Sequence, residues 1–234
     1  MIRWVYAFID RPRPLLDTTV AFWTEVTGTA PEPQEDAGFV RLRTPEADDW
    51  LEVQGVLDGP GGTHLDFSVE DVAAFTATAR AAGATVTADH GSWQVLRSPA
   101  GLPFCVARWQ GQRLLPGAAN GSLVDQVCLD IGPAAYESEA AFWTTVTGWE
   151  FAPEPPEFDR LTPPEPLPVQ ILLQRLKEER PAGAHLDLAC FDKSAVRDRH
   201  EKLGAAYVSE GPGWIVMRDP AGGVYCLTRR QPRH

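Results

Sequence analysis

The seven residues Phe22-Trp-Thr-Glu-Val-Thr-Gly28 return 120 positions later as Phe142-Trp-Thr-Thr-Val-Thr-Gly148, with one letter changed. A chain that repeats itself at this period must build one substructure twice. The echo extends to His64-Leu-Asp66 and His185-Leu-Asp187, and to Trp93 and Trp214. It also joins Arg97-Ser-Pro-Ala-Gly-Leu-Pro-Phe-Cys105 to Arg218-Asp-Pro-Ala-Gly-Gly-Val-Tyr-Cys226. Solenoid units run to about 20–50 residues, so this longer period marks a domain duplication. Two domains are expected, 1–117 and 118–234, each long enough to bury a core of its own.

Within each half the pattern alternates between strand and helix. The run Trp4–Ile9 reads as a strand. Leu15, Thr19, Phe22 and Val26 then fall at helical spacing, with Asp17 offering an N-terminal charge or cap and Gly28 a C-terminal stop. Phe39–Arg43 and Trp50–Leu57 follow as strands. The pattern restarts at Thr63, with a strand through Val69, a helix over Asp71–Ala82 ended by Gly83, and strands near Val86, over Trp93–Arg97 and over Pro103–Arg108. Each half therefore holds two β-α-β-β-β modules, and the chain is of the α+β class. The stretches Pro153–Pro168, Gly59–Gly62 and Gly211–Gly213 read as surface loops.

Composition removes several classes of function. A formal charge of −11 without any basic run argues against nucleic acid and anionic membranes, both of which are held through Lys and Arg. No apolar run approaches the ~18 residues needed to span a bilayer. Met1–Asp10 reaches an acidic residue before a signal-peptide core forms. Cys105, Cys128, Cys190 and Cys226 lie in apolar strand-like runs, which suits buried thiols in a reducing cytoplasm. Gly59-Pro-Gly-Gly62 lacks the Lys-Ser/Thr of a phosphate loop, and Ser92 with His90 has no third partner for nucleophilic chemistry.

The element order, His-Leu-Asp opening a strand, and Asp219-Pro-Ala-Gly222 leading into the last strand together resemble the vicinal oxygen chelate superfamily. That superfamily includes glyoxalase I, extradiol dioxygenases, fosfomycin-resistance proteins and bleomycin-binding proteins. More narrowly, Phe-Trp-x-x-Val-x-Gly, Gln174-Arg-Leu, His-Leu-Asp-Leu and Asp-Pro-Ala-Gly-x-x-x-Cys are similar to glyoxalase-like domains. The resemblance implies that the two modules of each half curve into a cleft, with helices outside and the ligand against the concave sheet, and that the partner is a small molecule, bound by a monomer or homodimer.

Strand parity then sorts the residues. Leu65, Phe67 and Val69 meet the helix, leaving His64, Asp66 and Ser68 on the ligand face, and His185, Asp187 and Ala189 repeat this. The same alternation assigns to the ligand face Tyr6, Phe8, Glu52, Gln54 and Cys105 in the first half, and Gln126, Cys128, Leu172, Gln174 and Cys226 in the second. Trp93 and Trp214 wall the cleft and, with Tyr6, Phe8 and Phe104, suggest an aromatic pocket. Trp23 and Trp143 belong to the core.

In metal-dependent relatives the resemblance implies ligands on the opening strand, the fourth strand, the strand that begins with His, and the closing strand. Those positions fall here on Tyr6, Glu52, His64 and Cys105, and on Gln126, Leu172, His185 and Cys226. Cys stands where such enzymes carry Glu. Two functions remain open. One is a small-molecule-binding protein that sequesters or modifies an aromatic or antibiotic-like compound and needs no metal. The other is a metal-dependent lyase or isomerase with His64 and His185 as ligands of a divalent ion and Glu52 as ligand or general base. The structural alternative for each histidine is a bond to its neighbouring Asp66 or Asp187.

Overall fold

The computed structural model describes residues 1–232. The first half comprises β1 (Ile2–Pro12), α1 (Leu16–Thr27), β2 (Ala30–Pro33), β3 (Phe39–Arg43), β4 (Leu51–Val56), β5 (Gly62–Val69), α2 (Val72–Ala81), β6 (Thr85–Asp89), β7 (Trp93–Arg97) and β8 (Pro103–Arg108). The second comprises β9 (Ser122–Ile131), α3 (Tyr136–Thr147), β10 (Glu150–Glu154), β11 (Phe158–Thr162), β12 (Gln170–Arg175), β13 (Gly183–Cys190), α4 (Lys193–Lys202), β14 (Ala206–Glu210), β15 (Trp214–Arg218) and β16 (Val224–Thr228). Each half forms one eight-stranded mixed sheet. The orders, β2-β3-β4-β1-β5-β8-β7-β6 and β10-β11-β12-β9-β13-β16-β15-β14, are the same arrangement twice. The chain is two tandem α+β domains.

The repeated helix ends for the reason its sequence gives. Gly28 and Gly148 take left-handed backbone, φ 64° and 66°, and their N–H groups return to the carbonyls of Thr24 and Thr144. A side chain at either position would be strained in that conformation. Asp71 and Asp192 cap α2 and α4, accepting from Ala74 N, and from Ser194 N and Ala195 N. Asp17 is no cap: a 3-10 turn over Arg13–Leu15 leads into α1, and Asp17 contributes only an acidic charge to its first turn.

Two strands escaped the periodicity. β2 reads Ala-Pro-Glu-Pro and is exposed throughout, and β10 carries Pro153. Both are terminal in their sheets, where a missing N–H donor is tolerated. The stretch Pro153–Pro168 is accordingly not one loop, because β11 lies within it.

Packing divides the chain into two compact units, each taking one module from each half. The first contains Met1–Tyr6, His64–Arg113 and Val127–Ala184, and the second Ala7–Thr63, Leu114–Gln126 and the chain from His185 onward. In the first unit, Phe67 of β5 and Phe104 of β8 meet Trp143 of α3 with ring centroids 6.2 and 5.2 Å apart. Phe104 is fully buried and belongs to this core, not to an aromatic ligand pocket. In the second unit, Phe22 and Trp23 of α1 pack on Tyr225 of β16 at 6.0 and 5.2 Å. Truncating any of these buried rings to Ala removes about 3–5 kcal/mol.

Candidate functional site

The predicted parity of β5 holds. Leu65, Phe67 and Val69 are buried, and Phe67 lies 5.8 Å from Phe75 of α2. His64, Asp66 and Ser68 therefore occupy the other face. Parallel register sets Asp66 beside Cys105 of β8, and antiparallel register sets Cys105 beside Val95 of β7. The Nε2 of His64 stands 3.3 Å from Oδ1 of Asp66. Donor atoms of His64, Asp66 and Cys105 all fall within 4.8 Å of one another. Burial, then the Asp66 charge, push the Cys105 thiol up to about 11, so it is protonated at neutral pH and no ready nucleophile.

The second unit carries the same constellation. Asp187 of β13 is in register with Cys226 of β16, which pairs with Val216 of β15. His185 Nε2 lies 3.4 Å from Asp187 Oδ1, and the donor atoms of His185, Asp187 and Cys226 again fall within 4.8 Å. Here the other carboxylate oxygen, Asp187 Oδ2, accepts from Gln126 Nε2 at 2.5 Å. Gln126 is thus a buried support for Asp187. In the first unit, at the position corresponding to Gln126, the Tyr6 hydroxyl accepts from Gln112 Nε2 at 2.9 Å.

The fourth strands diverge more sharply. Glu52 Oε1 accepts from Arg41 Nε at 3.3 Å, and Arg41 also lies near Glu32 and Asp49 at 3.6 and 3.9 Å. A carboxylate opposed by a guanidinium is a poorer general base than a bare one. In the second half Leu172 stands at this position, opposite Arg160, and Arg160 turns to Glu154 with two bonds of 2.7 and 2.9 Å. What the halves share is the register around these residues. Phe39 and Arg41 oppose Gln54 and Glu52, and Phe158 and Arg160 oppose Gln174 and Leu172. Phe8 is beside Glu52 and meets Phe39 edge-on at 6.4 Å. Gln174 Oε1 lies 4.0 Å from Cys128 Sγ.

Trp93 pairs with Ala107, is 37% exposed and stacks on His90 at 4.0 Å with 14° between planes. Trp214 pairs with Thr228 and is half-buried, and a Cβ at Gly211 would collide with its ring. Sequence reasoning placed Asp66 and Asp187 on the ligand face but did not count them as donors. The signal was present: His and Asp two apart on one strand share a face. Gln112 carried no such signal, because it follows the last strand of its half in a stretch without periodicity.

Residues 7–107 and 126–228 each match the family model described as glyoxalase-like domain. The chain belongs to this family, within the vicinal oxygen chelate superfamily, and carries two copies in tandem. No curated protein sequence matches it. Solved structures share the fold at low identity. The Mn(II)-bound glyoxalase from Novosphingobium aromaticivorans is 19% identical with a TM-score of 0.67, over 97% of this chain and 81% of that one. The 2,2',3-trihydroxybiphenyl 1,2-dioxygenase from Sphingomonas wittichii strain RW1 is 16% identical with a TM-score of 0.68, over 97% and 90%. A mutant of 4-hydroxymandelate synthase from Streptomyces coelicolor is 14% identical with a TM-score of 0.66, over 100% and 94%.

The residues present do not fit a manganese centre of the oxygen-rich, octahedral kind. Each cluster offers one imidazole, one carboxylate and one thiol. The fourth strand adds an ion-paired Glu52 in one half and an apolar Leu172 in the other. Among the described residues, no helix is long and apolar enough to cross a membrane.

Proposed function

We propose that the protein binds a small aromatic or antibiotic-like molecule against strand faces within its units, those carrying Trp93 and Gln174 in the first and those carrying Phe8, Gln54, Gln126 and Trp214 in the second. The observation that carries this reading is the Phe-Arg-Gln register kept in both halves, at Phe39, Arg41 and Gln54 and at Phe158, Arg160 and Gln174. It persists while the adjoining carboxylate position has drifted from Glu52 to Leu172. Aromatic faces with a few amides suit ring-bearing ligands. Tyr6, whose hydroxyl accepts from Gln112, adds an aromatic ring to such a face.

Isothermal titration against hydroxylated aromatic acids, catechols and bleomycin-type antibiotics tests the proposal. Saturable binding is expected, weakened about tenfold by Gln174→Ala and by Phe158→Ala, equivalent to about 1.4 kcal/mol. Silence across the whole panel overturns it. The boundary at residues 117 and 118, the cytoplasmic setting and the monomer or homodimer state belong to the same proposal. Separately expressed halves, fractionation and light scattering test them.

The two His-Asp-Cys clusters favour a second reading, a metal-dependent lyase or isomerase with His64 and His185 as ligands. Glu52 would then act as base only on release from Arg41. In this reading Arg41→Ala raises turnover and Glu52→Gln abolishes it, whereas a metal-loaded protein inert towards 2-oxoaldehyde–thiol adducts removes the reading.

A further inference from the structure

We propose that the outer face of α2 is a self-association surface, on which a second copy of this chain docks by two-fold, antiparallel pairing of α2 with α2. The surface lies on the helix side of its sheet, where Phe75 of α2 meets Phe67 at 5.8 Å, and so away from the strand faces proposed for ligand. The inference goes beyond ligand binding and does not rest on it.

The duplicated helix is charged in one half and nearly uncharged in the other. Residues 72–88, which form α2 and reach into β6, contain one charged residue, Arg80, in a chain that is 23% charged. The corresponding residues 193–209 contain six: Lys193, Arg197, Asp198, Arg199, Glu201 and Lys202. Both helices hold the same place in the fold and turn a face to solvent. On α4 that face is laced with ion pairs, Arg197 to Asp198 at 2.7 Å and to Glu201 at 3.9 Å. On α2 it is Ala73, Ala74, Ala77, Thr78 and Ala81, all exposed. Val86 of β6 extends the patch, since it pairs with buried Leu96 and is 37% exposed. Solvated helix faces are ordinarily charged, and an uncharged stretch of surface marks a place that a protein partner covers.

Charge complementarity names the occupant. Arg80 stands at the C-terminal end of α2, exposed, and its guanidinium has no partner among the described residues. Glu70 and Asp71 stand at the N-terminal end, also exposed, with Glu70 only loosely approached by Arg3 and the terminal amine at 3.7 and 3.9 Å. A two-fold axis through Ala77 sets Ala73 against Ala81 of the other copy and Arg80 against Ala74. Arg80 then lies four positions from Glu70 of the other copy, about 6 Å of helix rise and within reach of its long side chain. Symmetry makes this pairing twice, so the face is complementary to itself. A formal charge of −11 sets two copies against each other over most other approaches, and the uncharged face is where they meet at least electrostatic cost.

Size sets the strength. Alanines at the crossing let two helix axes approach to about 8 Å. One helix face and a neighbouring strand residue fall short of the ~800 Å² per partner of a standard interface, so the dimer belongs in the range of about 10–100 μM.

The test is sedimentation equilibrium of the full chain, purified without a tag, from about 5 to 500 μM, a range that brackets the expected constant. A monomer–dimer equilibrium is expected. Ala77→Glu places two carboxylates at the two-fold axis and should weaken the dimer at least about tenfold, as should Arg80→Glu or Glu70→Arg alone. Mixing the Arg80→Glu and Glu70→Arg proteins restores opposite charges at both ends and should recover association to within about threefold of the unaltered chain. Asp198→Ala, at the position of α4 that corresponds to Ala77, should leave association unchanged. A monomer throughout the range, assembly beyond the dimer, or a dimer indifferent to Ala77→Glu overturns the surface. A mixture that stays monomeric overturns the pairing of Arg80 with Glu70. All the altered side chains are exposed, and circular dichroism and melting of each variant separate lost association from lost fold. No organic ligand is present, so failure of the ligand panel and failure of self-association are read separately.

Discussion

The two compact units solve one packing problem with exchanged residues. In both, a buried indole on the repeated helix needs an acceptor for its N–H. Trp23 finds it across the unit, where Asp219 Oδ2 accepts at 3.2 Å, and Asp219 is also bonded by Arg11 at 2.6 and 3.1 Å and by Ala221 N and Gly223 N. Trp143 finds it one turn back on its own helix, where Glu139 Oε2 accepts at 2.9 Å and Oε1 takes the N–H of Ala100. Ser98 stands where Asp219 would be, Thr19 where Glu139 would be, and Ile131 where Arg11 would be. The carboxylate has changed elements while its task stayed the same. The difference extends outward: in the second unit His200 Nδ1 and the Tyr225 hydroxyl lie 2.9 Å apart, whereas the corresponding positions of the first hold buried Ala79 and Phe104. A duplicated core tolerates such exchange because what must be satisfied is a buried donor, not a particular residue.

Asp219→Ala removes the exchanged carboxylate itself. It strands a 3% exposed Arg11 guanidinium and should cost about 3–5 kcal/mol in urea denaturation. A loss below about 1 kcal/mol would mean that the ion pair is not what distinguishes the units.

Next comes acid. Burial first, and the charge of Arg199 second, hold His200 down to about 4 from its ordinary 6.5. The unfolded chain therefore binds more protons between those values, and stability should fall as pH drops through that window, by on the order of 3 kcal/mol. Denaturation at about pH 7 and pH 4.5 checks this. The double variant His200→Ala, Tyr225→Phe copies the Ala79–Phe104 pair and should flatten this dependence, whatever it costs in baseline stability.

Glu139→Ala should cost less than Asp219→Ala, about 1–3 kcal/mol, because it orphans two N–H groups but no buried cation. Burial raises the Glu139 carboxyl above its ordinary 4.5. The folded state then holds its proton more tightly, and stability present below pH 4.5 drains as pH rises through the folded value. Removing Glu139 should abolish that slope.

The smallest effect on stability belongs to Trp93→Ala, within about 0.5 kcal/mol since the ring is partly exposed. If Trp93 contacts ligand, titration should show binding about tenfold weaker in the same variant.

Much of this was legible in the chain. The Phe-Trp-Thr-x-Val-Thr-Gly repeat announced the duplication, because helix spacing and a left-handed glycine stop are local properties. Parity placed His64, Asp66, Cys105 and their counterparts on one face, because the strand period is two. Parity faltered with Phe104, which alternation with Cys105 should have sent to the helix side. Proline hid β2 and β10, since it argues against strands everywhere except at a sheet edge.

By itself, then, the sequence determined the four modules, the class of fold and the residue types available to a site. Tertiary structure decided which groups answer one another. Glu52 meets Arg41 while Arg160 turns to Glu154, Gln126 braces Asp187 while Tyr6 meets Gln112, and each indole takes its acceptor from a different element. Pairing of this kind joins residues from 4 to 196 positions apart. Only strand register and buried hydrogen-bonding demand select among the donors and acceptors that a sequence leaves open.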